Sequence, residues 1–214
     1  PLPYILGYRE FYGMRFHVDS AVLIPRAETE ILVEEAFLWS KKREGPLKIA
    51  DIGTGSGCIA ITLAKLLPFD TQIIATDISC AALDVARVNI KRLQEQEKIQ
   101  ILRGDLLNPL TGPVDLIVAN LPYIRSDAFK TLQIEVRDFE PKQALVGGTT
   151  GTHLVNQLIR TAPAWLRPSG AIMLEIDPWQ RDPLKKLIHK HLENATVRTI
   201  PDLSGNHRVI AIET

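Results

Sequence analysis

The sequence Asp51-Ile52-Gly53-Thr54-Gly55-Ser56-Gly57 decides the fold, because it joins a short apolar run to a helical pattern. The apolar run over 47–52 predicts a strand, and the pattern over 58–67 predicts a helix. Glycine lets the backbone turn tightly and lets a ligand approach it, and a helix start presents unpaired N–H groups. The turn therefore predicts a small-molecule site where a strand ends and a helix begins.

The rest of the chain repeats this alternation of strand and helix. Further strands are predicted over 72–76, 99–103, 114–119, 171–176, 196–200 and 208–212. Further helices are predicted from near Pro25, over 81–96, within 126–139, and over 152–166 and 184–193. Alternation favours a mostly parallel sheet covered by helices on both faces, and the last two strands, with no helix between them, predict one antiparallel strand. We predict an α/β fold with a seven-stranded, mostly parallel, Rossmann-like sheet whose last strand is antiparallel.

The first 22 residues differ in pattern from the remainder of the chain. Residues 4–11 and 14–18 are aromatic and β-prone, and Gly13 lies between them. This pattern is typical of a small β-hairpin or a clasp of extended chain. We therefore expect residues 1–22 to form an N-terminal hairpin segment and residues 23–214 to form the main domain.

Composition and charge narrow the classes of function. The 25 Lys and Arg residues balance the 25 Asp and Glu residues, so the total charge predicts no extended basic face for nucleic acid. Two cysteines give no disulfide framework, and no apolar run reaches the roughly 18 residues of a membrane helix. The five histidines have no partner at ligand spacing, so no metal site is predicted. We expect a cytoplasmic monomer that requires neither a membrane nor nucleic acid.

The glycine turn is compatible with three ligands to different degrees. A dinucleotide site has the pattern G-x-G-x-x-G/A, and here the third glycine comes one position early, with Cys58 at the expected small position. A phosphate-binding loop needs a Lys that this turn lacks. A cofactor with an amino-acid tail, S-adenosylmethionine, fits better: Asp51 would help to place its ammonium group, and the backbone of 53–57 would lie beside its carboxylate and ribose. A turn without a ligand is the remaining alternative.

Acidic residues follow the next two strands. Asp77 lies 20 positions beyond Gly57, and an acid at that place can accept both ribose hydroxyls. The alternative is that Asp77 caps the next helix, with Ser79 as a rival cap. Asp105 follows the third strand at the equivalent place and is a candidate for the adenine amino group, or else a turn residue.

The fourth core strand ends in Asn120-Leu121-Pro122-Tyr123. The Asn120 side-chain oxygen and the Leu121 carbonyl can each accept one hydrogen bond from a planar NH2 group, which holds its nitrogen for methyl transfer. Pro122 stiffens the turn, and Tyr123 can stack on the planar group. We predict Asn120, Pro122 and Tyr123 as catalytic residues; the alternative is an ordinary turn after a buried strand.

Several motifs together resemble the HemK/PrmC family, the protein-glutamine methyltransferases of peptide chain release factors. The resemblance covers nearly the whole chain, and its most family-specific segment is Ile24-Pro25-Arg26-Ala27-Glu28-Thr29-Glu30. The other matching stretches are 4–7, 11–13, 51–57, 76–79, 120–123, 144–148, 174–176 and 201–205. The glycine turn alone is typical of methyltransferases in general, whereas the Asn-x-Pro-Tyr element is typical of amino-group methylation.

The resemblance implies a class I methyltransferase fold and a release factor as the protein partner. It implies methylation of the side-chain amide of the glutamine in the Gly-Gly-Gln motif. In that family the glycine turn, Asp77 with its neighbour Ile78, and Asn120 contact S-adenosylmethionine, and residues 120–123 contact the glutamine.

The chain departs from the family pattern in three ways. Leu121 stands where the family usually has proline, and it keeps the carbonyl that would accept a hydrogen bond. Leu106 follows Asp105 where the family often has an aromatic residue, which implies an aliphatic contact with adenine. We also expect the helical docking domain that the family carries upstream to be absent from these 214 residues.

The sequence leaves two other functions open. The same chemistry could act on the amino group of adenine or cytosine in DNA or RNA, which requires access to a flipped base. That function predicts a basic cleft, and the neutral charge balance speaks mildly against it. A binding module that keeps the fold without catalysis would not need Asn120, Pro122 and Tyr123.

Overall fold

The computed structural model describes all residues, 1–214, and contains nine strands and eight α-helices. The strands are β1 (Tyr8–Phe11), β2 (Met14–His17), β3 (Lys48–Ile52), β4 (Gln72–Asp77), β5 (Ile99–Arg103), β6 (Val114–Ala119), β7 (Leu166–Glu175), β8 (Thr196–Pro201) and β9 (His207–Glu213). The α-helices are α1 (Leu2–Leu6), α2 (Thr29–Ser40), α3 (Cys58–Leu66), α4 (Cys80–Arg92), α5 (Ile134–Arg137), α6 (Lys142–Leu145), α7 (His153–Thr161) and α8 (Arg181–His191). None of these helices has the length and hydropathy required to cross a membrane.

Strands β3 to β9 form one seven-stranded sheet in the order β5-β4-β3-β6-β7-β9-β8. Only β9 pairs antiparallel to its neighbours, β7 and β8, so the predicted sheet and its antiparallel last strand are confirmed. The chain moves outward from β3 to β5 and then returns to the other side of β3 as β6. Ligands in such sheets bind at this reversal, beside the carboxyl ends of the strands. The turns after β3 and β6 are therefore neighbours at the expected binding edge.

The central strands are buried on both faces. Along β6, Leu116 and Val118 pack into the core that contains α2 and α3, whereas Ile117 and Ala119 pack into the core that contains α7 and α8. This alternation explains why residues 116–119 of β6 are all apolar, whereas Asp115, nearer the start of the strand, is only half-buried. Replacing a fully buried isoleucine such as Ile117 by alanine costs about 2–5 kcal/mol, so each core is a substantial part of the stability.

The N-terminal hairpin is confirmed and is packed onto the main domain. β1 and β2 are antiparallel, and Phe11 and Phe16 are buried with their ring centroids 6.0 Å apart in an edge-to-face arrangement. Asn89 of α4 joins the hairpin to the glycine turn. Its Oδ1 accepts from His17 N at 2.7 Å, and its Nδ2 donates to His17 O at 2.9 Å and to Ser56 O at 2.8 Å.

Two boundaries near the amino end were predicted wrongly. Residues 4–6 belong to α1 and not to an extended segment, because Pro3 lies in the first turn, where its missing N–H costs nothing, and Gly7 ends the helix with φ +74°. Helix α2 begins at Thr29 and not near Pro25. Residues 25–28 are therefore not helical, and Pro25 and Arg26 of this segment line the binding edge.

The region after the fourth core strand also differs from prediction. The helix expected within 126–139 is a 3₁₀ turn, Ala128–Thr131, followed by the short α5. Helix α7 ends at Thr161, and β7 begins at Leu166 and continues through Pro168 and Gly170, which had been expected to separate a helix from a strand. The pairing of β6 with β7 is irregular there, between Val114 and Leu116, and a bulge of this kind accommodates proline.

Candidate active site at the carboxyl ends of the central strands

A cavity of about 570 Å³ lies at the carboxyl ends of β3, β4, β5 and β6. Its size is that of a typical cofactor site. The walls come from the glycine turn, from the residues that follow β4 to β6, and from segments 21–29 and 141–146. Most residues that the sequence predicts as site residues line it: Gly53, Thr54, Gly55, Ser56, Asp77, Ile78, Asp105, Leu106, Asn120, Leu121 and Pro122.

The three glycines of the turn all have left-handed backbones but serve different purposes. A Cβ on Gly53 would lie 3.1 Å from Leu121 Cδ2, so this glycine lets the turns after β3 and β6 approach each other. Around Gly55 the space is open, since a Cβ would meet nothing closer than 4.0 Å. Gly57 does not line the cavity; a Cβ there would lie 3.2 Å from Ile61 Cδ1 and 3.5 Å from Ala86 Cβ. It lets α3 and α4 pack closely.

Asp51 holds the glycine turn and does not line the cavity. Its Oδ2 accepts from Thr54 Oγ1 at 2.7 Å and from Ala60 N at 3.1 Å. Its Oδ1 is buried without a partner, and burial raises the pKa of Asp51 to about 7. The predicted contact between Asp51 and a ligand ammonium group stays a prediction, and the contacts seen are with the turn itself.

Asp77 joins the glycine turn to the start of α4. Its Oδ2 accepts from Gly55 N at 3.0 Å, and its Oδ1 accepts from Ser79 N at 2.9 Å. The cap of α4 is Ser79, whose hydroxyl accepts from Ala82 N at 3.2 Å, so the interpretation of Asp77 as that cap is wrong. Burial raises the pKa of Asp77. Its carboxylate is therefore held in place at the cavity wall.

The acid after β5 is also at the cavity wall. Asp105 Oδ2 accepts from Gln157 Nε2 of α7 at 3.4 Å. Its neighbour Leu106 has a left-handed backbone, with φ +47°, and is buried against the same cavity. The two residues therefore offer the cavity an acceptor next to an apolar surface.

Asn120 lies where the large cavity meets a second one of about 180 Å³. Its Nδ2 donates to Thr29 Oγ1 at 3.2 Å. Tyr123 lines the smaller cavity and not the larger one, and burial raises the pKa of Tyr123 to about 12. The two cavities are adjacent, and six residues line both: Leu23, Arg26, Asn120, Leu121, Pro122 and Ala144.

Four polar residues of this region were not predicted as site residues: Arg26, Thr29, Glu140 and Glu175. Arg26 forms an ion pair with the buried side chain of Glu140, which also accepts from Ile24 N at 3.2 Å. This pair ties segment 21–29 to segment 141–146 at the cavity wall. The sequence signal for Arg26 and Thr29 was the motif over 24–30, whereas nothing in the sequence marked Glu140.

Glu175 ends β7 and lines the smaller cavity. It is buried, its Oε2 has no hydrogen-bond partner, and burial raises its pKa to about 7. Like Asp77, Glu175 is an acid at the carboxyl end of an apolar strand. This pattern is the sequence signal that marks Glu175 as a site residue.

Known proteins that are similar to this chain are methyltransferases. The family model described as "Methyltransferase small domain" matches residues 29–138. A "Release factor glutamine methyltransferase" of Rhodopirellula baltica is 37% identical over 100% of this chain and 73% of its own length. One of Moorella thermoacetica is 41% identical over 97% of this chain and 73% of its own. A methyltransferase structure from Pyrococcus furiosus superposes with a TM-score of 0.67 at 18% identity, covering 94% of this chain and 89% of that one, which shows the fold.

Proposed function

The chain belongs to the release factor glutamine methyltransferase family, and we propose that it transfers a methyl group from S-adenosylmethionine to the side-chain amide nitrogen of the glutamine in the Gly-Gly-Gln motif of a release factor. The observation that carries the proposal is the pair of adjacent cavities with Asn120 in the lining of both. A transfer reaction needs such an arrangement, because donor and acceptor must meet in one fixed orientation.

The larger cavity suits a cofactor with hydroxyl groups and an aromatic base but no phosphates. Its basic lining residues are Arg26 and Lys142, and neither belongs to the glycine turn. Each oxygen of Asp77 accepts one backbone N–H and keeps capacity for a further donor, so we assign the ribose hydroxyls to it. Ile78 and Leu106 supply apolar surface for adenine, and Asp105 supplies an acceptor for its amino group.

The amino-acid part of the cofactor belongs to the other end of the cavity. Gly55 has no atom near its Cβ position, so a ligand can approach its backbone closely. Asp51 keeps one buried and unpaired carboxyl oxygen beneath this turn, which supports the assignment of the ammonium group to this end. When bound, S-adenosylmethionine supplies a methyl group on a positively charged sulfur, which departs with the electrons of the broken bond.

The residues after β6 bind and orient the acceptor amide. The Asn120 Oδ1 and the Leu121 carbonyl are the acceptors assigned to the two protons of the glutamine NH2 group. Held in this way, the nitrogen forms its new bond to carbon with its own electron pair, and one of its protons then passes to water. Pro122 stiffens the turn, and Tyr123 lines the smaller cavity where the glutamine side chain would lie.

Methyl transfer to a release factor tests the proposal. The full chain is incubated with S-adenosylmethionine labelled in its methyl group and with a release factor that carries either glutamine or alanine in its Gly-Gly-Gln loop. We expect label on the glutamine protein only, and mass spectrometry to place it on the side-chain nitrogen. Equal label on both proteins, or on neither, would contradict the proposal.

The same experiment tests nucleic acid as an alternative methyl acceptor. An adenine- and cytosine-containing single-stranded oligonucleotide replaces the release factor at the same concentration. We expect no label on it. Label on the oligonucleotide together with none on the release factor would favour methylation of a base amino group instead.

A further inference from the structure

Asn120 has two chemically different ends, and the proposed reaction needs a defined one to face the acceptor. The amide oxygen accepts hydrogen bonds, whereas the amide nitrogen donates them. A glutamine NH2 group is itself a donor, so it must meet the Asn120 oxygen. The contacts that decide the direction of the Asn120 side chain are therefore part of the mechanism, and a role assigned to them rests on the proposed function.

Thr29 contacts the nitrogen end. Asn120 Nδ2 donates to Thr29 Oγ1 at 3.2 Å, across a separation of 91 residues in the chain. Thr29 is the first residue of α2 and is only 2% exposed, so its side chain is held by the packing around it. Since the nitrogen is engaged by Thr29, Asn120 Oδ1 is the end left for a ligand.

Glu175 is the acidic group near Thr29 and Asn120. A threonine hydroxyl whose oxygen accepts from Asn120 still has its own proton to donate, and a carboxylate is the best acceptor for it. Burial raises the pKa of Glu175, and the nearby Thr29 and Asn120 side chains oppose this by lowering it. Glu175 Oε2 is buried without a partner in the smaller cavity that Asn120 also lines. The carboxyl therefore lies within reach of both groups.

We infer that Thr29 is a positioning residue, whose hydroxyl fixes the amide of Asn120 between Glu175 and the acceptor, so that Asn120 Oδ1 faces the nitrogen to be methylated. Hydrogen bonds in a chain polarise one another. A group that accepts a hydrogen bond from Asn120 Nδ2 polarises the amide and makes its oxygen more negative. Thr29 thereby orients Asn120 and strengthens its oxygen as an acceptor, without touching the reacting atoms itself.

The experiment compares Thr29→Val with Thr29→Ser in the full chain. Valine keeps the shape of threonine and removes the hydroxyl, whereas serine keeps the hydroxyl and removes the methyl group. We expect Thr29→Val to lower kcat about 10- to 100-fold, the scale for removing a partner that orients a site residue. We expect the KM for the release factor and the Kd for the cofactor to change by less than about threefold, since the lost interaction belongs to the transfer step.

Thr29→Ser is expected to retain most of the wild-type kcat. Thr62→Val is the matched control, because Thr62 is another buried threonine, whose hydroxyl donates to Cys58 O inside α3 and has no contact with Asn120. A Thr29→Val enzyme with wild-type kcat would overturn the inference. So would a Thr29→Ser enzyme as slow as Thr29→Val, because packing and not the hydroxyl would then be responsible.

A second measurement separates this inference from the proposed function. The side-chain NH2 resonances of Asn120 are followed by NMR, and we expect faster hydrogen exchange in Thr29→Val than in the wild type and in Thr62→Val. Unchanged exchange would show that Thr29 does not hold the amide, whatever the activity. A wild-type enzyme that fails to methylate a release factor while its Asn120 resonances respond as expected would overturn the proposed function and leave the hydrogen bond established.

Discussion

The glycine turn and the region around Asn120 are built in opposite ways. The turn is held by residues close to it along the chain, since Asp51 bonds to Thr54 and Ala60, and Asp77 bonds to Gly55. The region around Asn120 is assembled from distant segments, and two of its side-chain hydrogen bonds, Asn120 to Thr29 and Ile24 to Glu140, span 91 and 116 residues. Each region keeps one unpaired buried carboxyl oxygen, Asp51 Oδ1 at the glycine turn and Glu175 Oε2 near Asn120.

The difference indicates that the glycine turn binds the cofactor and that the region around Asn120 carries out methyl transfer. A seat with locked side chains loses little entropy when a small cofactor binds. In each region an unpaired carboxyl oxygen costs stability, and the ligand that satisfies it, the cofactor at Asp51 or the substrate at Glu175, would recover that cost. Mutations in the two regions should therefore separate cofactor binding from methyl transfer.

Removing the side chain of Asn120 should have the largest effect. We expect Asn120→Ala to lower kcat about 100- to 1000-fold, as for the loss of one acceptor that is aligned for the transition state. Cofactor affinity, measured by calorimetry, should change by less than about threefold. Asn194→Ala, at an exposed position, is the control and should behave as wild type. Turnover by Asn120→Ala comparable to wild type would rule out the assignment of methyl transfer to the region around Asn120.

The pH dependence of stability should reveal the carboxyl of Glu175. Its pKa is raised by burial from 4.5 to about 7, so the folded state holds this proton more tightly than the unfolded chain. The stabilisation is complete below about pH 4.5 and is lost as the pH rises through 7, with a size of about 3 kcal/mol. Glu175→Gln should therefore flatten the unfolding free energy between pH 5 and 8, as measured by urea titration.

A slope should persist in that variant, because burial raises the pKa of Asp51 from 3.8 to about 7 as well. If Glu175→Gln loses the whole pH dependence of the unfolding free energy, Asp51 ionises with an ordinary pKa. If the pH dependence is unchanged, Glu175 ionises with an ordinary pKa.

Asp77 should test the cofactor side of the comparison. Asp77→Ala removes an acceptor assigned to the ribose and also frees Gly55 N, so we expect the cofactor to bind about 1–3 kcal/mol more weakly. Calorimetry gives the value, and Asp70→Ala, at an exposed position, is the control. At saturating cofactor the kcat should stay within a few-fold of wild type. A Kd equal to that of the wild type would remove Asp77 from the cofactor site.

The smallest effects should come from two glycines of the same turn. Both have positive φ, at +55° for Gly55 and +81° for Gly57, so alanine costs about 1–2 kcal/mol of stability at either position. Only Gly55 lines the cavity. Gly55→Ala should therefore also weaken cofactor binding, and Gly57→Ala should not. Equal cofactor affinities in the two variants would show that the backbone of Gly55 is not a contact surface.

The same contrast explains how far sequence reasoning reaches. The glycine turn and Asp77 were found because strand, turn and acid are close in sequence and their spacing is set by the fold. Asn120 was found because the carboxyl ends of parallel strands meet at one edge of the sheet. Thr29 and Glu140 were missed as site residues, since each acts through a partner more than 90 residues away along the chain.

Local sequence patterns also gave wrong predictions for some residues whose role is in packing. Gly57 belongs to the turn in sequence, yet its lack of a side chain serves the contact between α3 and α4. Pro168 and Gly170 were expected to separate a helix from a strand, yet they lie within β7, because the irregular pairing with β6 tolerates them. Such outcomes depend on neighbouring elements, which no local pattern contains.

The most direct test of the central claim is a crystal structure of the enzyme with S-adenosylhomocysteine and a peptide containing Gly-Gly-Gln. We expect the cofactor product beside Gly55 and Asp77, and the glutamine nitrogen about 3 Å from Asn120 Oδ1, with Asn120 Nδ2 still on Thr29. A glutamine bound away from Asn120, or an Asn120 amide with its nitrogen turned toward the acceptor, would contradict the account.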